Sequence, residues 1–223
     1  MLSETIEKFV PNSLGVSFSN SADENCDRRC RLINSCNCYA KRVETRRPVV
    51  QLAAVKARRT HPATICNQAI LWLRLRRFCP WFRISVFGSL PHVSVARRSK
   101  GFREAFRAMV REAIAIGAKV HIPVESPIKA KYYQGIVGDL AIVRESVQSE
   151  RRFINHLAPI SFVVGKNGDK KRDKLIKAKQ LIKKRYEKTG RKAILCPAIV
   201  GSSKCGKCTA CSVACVDVIY LKH

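Results

Sequence analysis

Short apolar runs alternate along this chain with amphipathic stretches of helical period, and that alternation constrains its fold more than any other feature. The pattern predicts strands at Leu14–Ser19, Arg83–Phe87, Lys119–Val124, Asp139–Val143, Ile160–Val164 and Ala193–Leu195. Between them, helical spacing is expected over Val49–Phe78 with a break at His61-Pro62, and over Phe102–Ile116, Pro127–Ile136, Gln148–Leu157 and Lys171–Lys188. Phe102, Ala105, Phe106, Met109, Val110 and Ala113 mark the inward face of the second of these, and Gly117 its stop. Leu175, Ala178, Ile182 and Tyr186 are expected to point inward from the last, which Gly190 closes. Strands alternating with helices are repeated βα units, which build a largely parallel sheet. The expected fold is α/β, a partial (βα)6-type barrel, with a doubly wound sheet as the alternative. A barrel-like domain over residues 1–195 would carry a first cysteine loop at 26–40, and residues 196–223 would form a C-terminal cysteine-rich metal-binding segment.

In such folds ligands bind beyond the carboxyl ends of the strands. The first cysteines follow strand one, Ser89 strand two, Glu125 strand three, Arg144 and Glu145 strand four, and Lys166 strand five; further cysteines follow strand six. All these groups are therefore expected at one face, with cysteine-rich metal sites among them.

Eleven cysteines are present, most of them in two tight clusters. Cys26, Cys30, Cys36 and Cys38 form the first. Cys196, Cys205, Cys208, Cys211 and Cys215 form the second. Thiolates two or three residues apart converge on one metal without long-range folding, so this spacing points to metal binding. Cys205 to Cys215 has the C-x2-C-x2-C-x3-C spacing of bacterial ferredoxins, although Val216 stands where proline usually follows. Cys196, held before Pro197, is a further candidate ligand. A [4Fe–4S] cluster and a structural zinc both accept such thiolates, so one or two clusters, or zinc, are the expected cofactors. Cys66 and Cys79 lie beside an apolar helix and read as buried thiols.

The loop Cys30…Cys36-Asn-Cys38-Tyr39-Ala40 after the first strand resembles the cysteine loop of the radical SAM superfamily. Paired with Cys196-Pro197 and the terminal cysteines, it is similar to the phage gene product eighty-eight family. The likeness runs from about Leu14 to His223 in motif order. The usual C-x3-C-x2-C spacing is met only between Cys26 and Cys30, and Gly88-Ser89 stands in place of a Gly-Gly-Glu strand end. The resemblance implies a [4Fe–4S] cluster on the first loop and S-adenosylmethionine as its ligand. Ser89, Glu125, Arg144 and Glu145 would then hold cofactor or substrate polar groups. A plain salt bridge between Glu125 and Arg144 is the alternative.

The formal charge is +27, from 43 Lys and Arg against 16 Asp and Glu. A field of that sign draws polyanions, and nucleic acid is the expected partner. Arg28, Arg29, Arg58, Arg59, Lys166, Lys171, Lys174, Lys177 and Lys184 are the candidate contacts. No apolar run is long enough to cross a membrane, and the first residues lack a signal-type apolar core. A cytoplasmic protein is expected, in the host cytoplasm if phage-encoded. The function expected is that of a phage-type iron–sulfur, radical-SAM-like protein acting on or with nucleic acid. The alternative is a non-catalytic, metal-stabilised (iron–sulfur or zinc) nucleic-acid-binding protein of phage replication or packaging.

Overall fold

Residues 6–7, 14–16, 18, 60–76, 79–84, 90–147, 149–165, 169–197, 208, 210–212 and 216–221 are described by the structure, a computed structural model. The chain divides into two compact units, residues 1–122 with 135–140, and residues 123–134 with 141–223.

In the first unit β1 (Ile6–Glu7) runs antiparallel to β2 (Leu14–Val16), and β2, β3 (Trp81–Ile84) and β4 (Lys119–Val124) are parallel in that order. Helix α1 (Pro62–Arg74) starts where the sequence expects a break. The His61 imidazole accepts from the Ala63 N–H at 3.3 Å, and Pro62 fills the first helical position, where no N–H is needed. Two further helices, α2 (Val93–Arg98) and α3 (Phe102–Ala115), follow, and α3 packs on α1. The face of α3 expected inward is buried apart from half-buried Ala105, with the Phe18, Phe102 and Phe106 rings 5.5–6.0 Å apart. Gly117 ends the segment at φ +80°, a conformation that glycine adopts without strain. Cys66 and Cys79 are buried as expected.

Helix α4 (Pro127–Val137) begins in the second unit. That unit continues with β5 (Val143–Val147), α5 (Glu150–Asn155), β6 (Ile160–Val164), α6 (Lys171–Thr189), β7 (Lys192–Leu195) and β8 (Val216–Leu221). Its strands are all parallel in the order β5-β6-β8-β7, so the last strand inserts between its predecessors. Ile219 and Leu221 of β8 join the core under α5 and α6, while Val218 and Tyr220 pack with the cysteines, so β8 is covered on both faces. The expected boundary at 195/196 falls within this unit, between hydrogen-bonded neighbours β7 and β8.

The α/β class and the parallel strands are as expected. Three readings are corrected. The fourth strand is not at Asp139–Val143: Gly138–Leu140 is a 3-10 turn, and the strand begins at Val143. The Gln134 amide accepts from the Val143 N–H at 2.9 Å and donates to the Ala141 carbonyl at 3.0 Å, fixing the start. Of the expected inward face of α6, Ala178 is buried and Leu175 and Ile182 pack half-buried on the core, but Tyr186 is exposed, and Lys174, Leu181 and Arg185 are buried as well. Helix α2 and strand β8 were not anticipated. No described helix is long and apolar enough to cross a membrane.

Candidate functional site

Cys196 leaves the carboxyl end of β7, and its N–H donates to the Ile219 carbonyl at 2.8 Å. The chain then returns to the amino end of β8 through the segment that carries the other cysteines. Its described part, Cys208 and the 3-10 turn Ala210–Ser212, lies on the face of β7 and β8 that presents Ile194, Val218 and Tyr220. Cys196, Cys208 and Cys211 thus meet in one small cluster, away from the core under α6. Cys211 Sγ lies 2.9 Å from Tyr220 Oη. Burial pushes the Cys211 thiol up, the Tyr220 hydrogen bond and the Arg144 charge pull it down, and Cys196 and Cys208 push it up again. Both other thiols thus act electrostatically on Cys211. Among the described residues no three His, Cys, Asp or Glu side chains stand positioned to hold a metal ion. Cys205 and Cys215, like Cys26, Cys30, Cys36 and Cys38, lie outside the described residues. Of the expected carboxyl-end placement, Cys196 fits; Cys208 and Cys211 lie against the sheet face.

A fully buried arginine borders this cluster. Arg144 Nη1 donates to the Ile160 carbonyl at 2.9 Å and the Val216 carbonyl at 2.8 Å, and Nη2 to the Ala210 carbonyl at 3.3 Å. One guanidinium thereby joins β5, β6, β8 and the cysteine-bearing turn. Burial lowers its pKa, an effect opposed first by Cys211, then by Tyr220 and Asp217. The Arg144 charge works against the burial that raises the Cys211 thiol, without reversing it. Cys196, Cys208 and Cys211 are the thiols that this face of the sheet brings together.

On the opposite face Asp217 gathers a second network. Arg185 binds it through Nε and Nη2, each at 2.6 Å, Arg191 Nε at 3.1 Å, and the Ile160 N–H donates to it at 2.8 Å. Arg185 also donates to the Phe153 carbonyl and lies over that ring.

The residues expected to hold a cofactor are not drawn together. Arg144 and Glu145 are the second and third residues of β5, so they sit near its amino end and point to opposite faces. The expected placement beyond a carboxyl end is corrected because the strand starts four residues later. Glu145 meets Arg152 at 2.5 Å and His156 Nε2 at 3.1 Å; burial raises its pKa, and both partners oppose that. Glu125 does follow β4 and pairs with Lys129 rather than Arg144. Ser89 lies outside the described residues.

The expected basic face of α6 is also redrawn. Lys174 is buried, its stem against Gly165, and Lys177 pairs with Glu150. Lys171 and Lys184 are exposed, together with Arg172, Lys179, Lys183 and Lys188. In the first unit Arg103, Arg107 and Arg111 form an exposed stripe at four-residue spacing along α3, which the sequence reading missed and the spacing itself announces. Tyr220 and Asp217 were missed as well; the short β-branched and apolar run Val216–Leu221 signals a strand there, but not the partners of either side chain. Arg28, Arg29, Arg58, Arg59 and Lys166 lie outside the described residues.

No protein-family model matches the chain. Comparison with curated proteins and with solved structures likewise finds no match.

Proposed function

We propose that this chain is a metal–thiolate protein that binds nucleic acid, its metal centre fastening the C-terminal cysteine segment to the sheet. The observation that carries the reading is the meeting of Cys196, Cys208 and Cys211 beside Tyr220 and the buried Arg144. A full set of four cysteine ligands would suit a structural role, since catalytic metals keep an open position. Four thiolates around zinc or an iron–sulfur cluster carry net negative charge, which Arg144 offsets. Thiolate ligands of this kind also suit a reducing compartment such as the cytoplasm. The net charge of +27 and the exposed basic side chains of α6 and α3 support a polyanionic partner.

Anaerobic purification with metal analysis, absorption and electron paramagnetic resonance tests the centre. Zinc or iron bound through the second cysteine cluster is the expected result. A metal-free protein whose cysteines of that cluster are freely alkylated would overturn it.

A radical-SAM-like enzyme is the second reading, favoured by one observation: β2, the first parallel strand of its sheet, precedes Cys26, Cys30, Cys36 and Cys38 in the sequence. On this reading the βα units curve into a partial (βα)6-type barrel, and the first loop holds a [4Fe–4S] cluster. S-adenosylmethionine would supply the radical chemistry. Release of 5′-deoxyadenosine from S-adenosylmethionine under strong reduction would select it over the first.

A further inference from the structure

Tyr186 is the one residue of the expected inward face of α6 that lies more than half exposed, at 56%. Its exposure follows from the helix phase. Lys174, Ala178, Leu181 and Arg185 face the core, so the opposite seam runs through Arg172, Ile176, Lys179, Lys183 and Tyr186. All five are exposed, Ile176 at 47%. Along that seam the rise is 1.5 Å per residue, so Arg172 and Tyr186 are separated by about 21 Å. Lys183 meets Glu187 at 3.8 Å, an exposed pair of the kind that yields readily to a stronger anion.

We propose that this seam is a binding track for single-stranded nucleic acid, in which Tyr186 stacks on a base while Lys179, Lys183 and Arg172 meet phosphates. The inference rests on the nucleic-acid reading above and deepens it by naming the strand state. Charge alone would suit a duplex equally. An exposed aromatic ring beside lysines adds a contact that only an unpaired base offers, since bases in a duplex are already stacked on one another.

The test uses the full chain with three probes: a single-stranded oligothymidylate, an abasic strand of equal length, and a duplex. Equilibrium binding is measured over a salt series, and circular dichroism melting confirms that each variant folds. Wild type is expected to prefer the oligothymidylate over both other probes. Tyr186→Ala should weaken oligothymidylate binding about tenfold and leave abasic binding unchanged, and Tyr186→Phe should keep the wild-type affinity. Lys179→Gln with Lys183→Gln should flatten the salt slope by about 0.7 per lysine removed. Equal binding of oligothymidylate by wild type and Tyr186→Ala, with wild type still binding nucleic acid, would overturn the stacking track alone. If wild type binds none of the three probes at low salt, the nucleic-acid reading falls, and the track with it.

Discussion

Arg185 of α6 and Asp217 of β8 form a fully buried ion pair, with the guanidinium Nε 2.6 Å from the carboxylate. Arg191 joins the same carboxylate, and Arg144 Nη1 stands 3.8 Å from it on the side of the cysteines. One acid therefore answers to three cations in a region with little water to screen them. Replacing a whole buried pair by apolar residues is often neutral, but removing one partner strands the other. Asp217→Ala is expected to destabilise the second unit by about 3–5 kcal/mol. Urea unfolding followed by far-ultraviolet circular dichroism checks it; a loss below about 1 kcal/mol would mean that the arginines find other partners.

The same pair explains which parts of the fold were legible in the sequence. Lys119–Val124 and Ile160–Val164 are strands over the expected residues because apolar side chains dominate both. Strands β5 and β8 carry Arg144, Glu145 and Asp217 in their interiors, and hydropathy alone counts those residues as solvent-facing. Their burial is made tolerable by partners up to 72 residues away in sequence, which no local pattern reveals. The last turn of α6 departs from the expected face for that reason: Arg185 turns inward to meet Asp217, and Tyr186, the more apolar neighbour, turns out. At the candidate site the cysteine spacing was legible. The contribution of Tyr220 was not, because it comes from an unanticipated strand.

Cysteine substitutions separate ligands from bystanders. Cys196→Ser, Cys208→Ser and Cys211→Ser are each expected to lower the bound metal substantially. Cys66→Ala should leave metal content unchanged, since Cys66 is buried within α1 in the first unit. Tyr220→Phe should retain metal, because a hydrogen bond to sulfur tunes a thiolate ligand without supplying the metal bond. Metal analysis of proteins purified in parallel reads all five. Retention of full metal by Cys211→Ser would remove that residue from the centre.

Removing the metal should loosen the segment between β7 and β8 and spare the core under α6. The cysteine cluster holds few apolar side chains, so the metal bonds are expected to dominate its stability. Hydrogen exchange by mass spectrometry, with and without chelator, is expected to show faster exchange in peptides spanning 196–215. Peptides from α6 should change little. Uniform loosening of the whole second unit would instead assign the metal a global folding role.

Glu145 gives a pH dependence whose sign is fixed by its surroundings. Burial raises its pKa, and Arg152 and His156 only partly offset this. A folded-state value above the unfolded one means that the native state holds the proton more tightly. The stabilisation is therefore complete below the ordinary glutamate value, about pH 4, and is lost as pH rises through the raised value. Glu145→Gln mimics the protonated carboxyl and lacks that loss. Its stability relative to wild type should accordingly improve between pH 4 and pH 7, as read from urea midpoints at both. A relative decline over that range would show that the Arg152 and His156 contacts outweigh desolvation.

Gly165 closes β6 at φ +101°, and a methyl group there would meet the Lys174 stem at 2.8 Å. Two costs are combined at this position, backbone strain and a clash, and they respond differently to a second substitution. Gly165→Ala is expected to destabilise by about 1–3 kcal/mol through the strained backbone, with the clash adding to it. The lysine stem is flexible, so Lys174→Ala in the same chain should relieve the clash and leave the strain. The double variant is thus expected to recover only part of the loss relative to Lys174→Ala alone. Thermal melting of the four proteins as a cycle separates the two contributions. Full recovery would show that the contact with Lys174, and not the left-handed backbone, is what requires glycine at the end of β6.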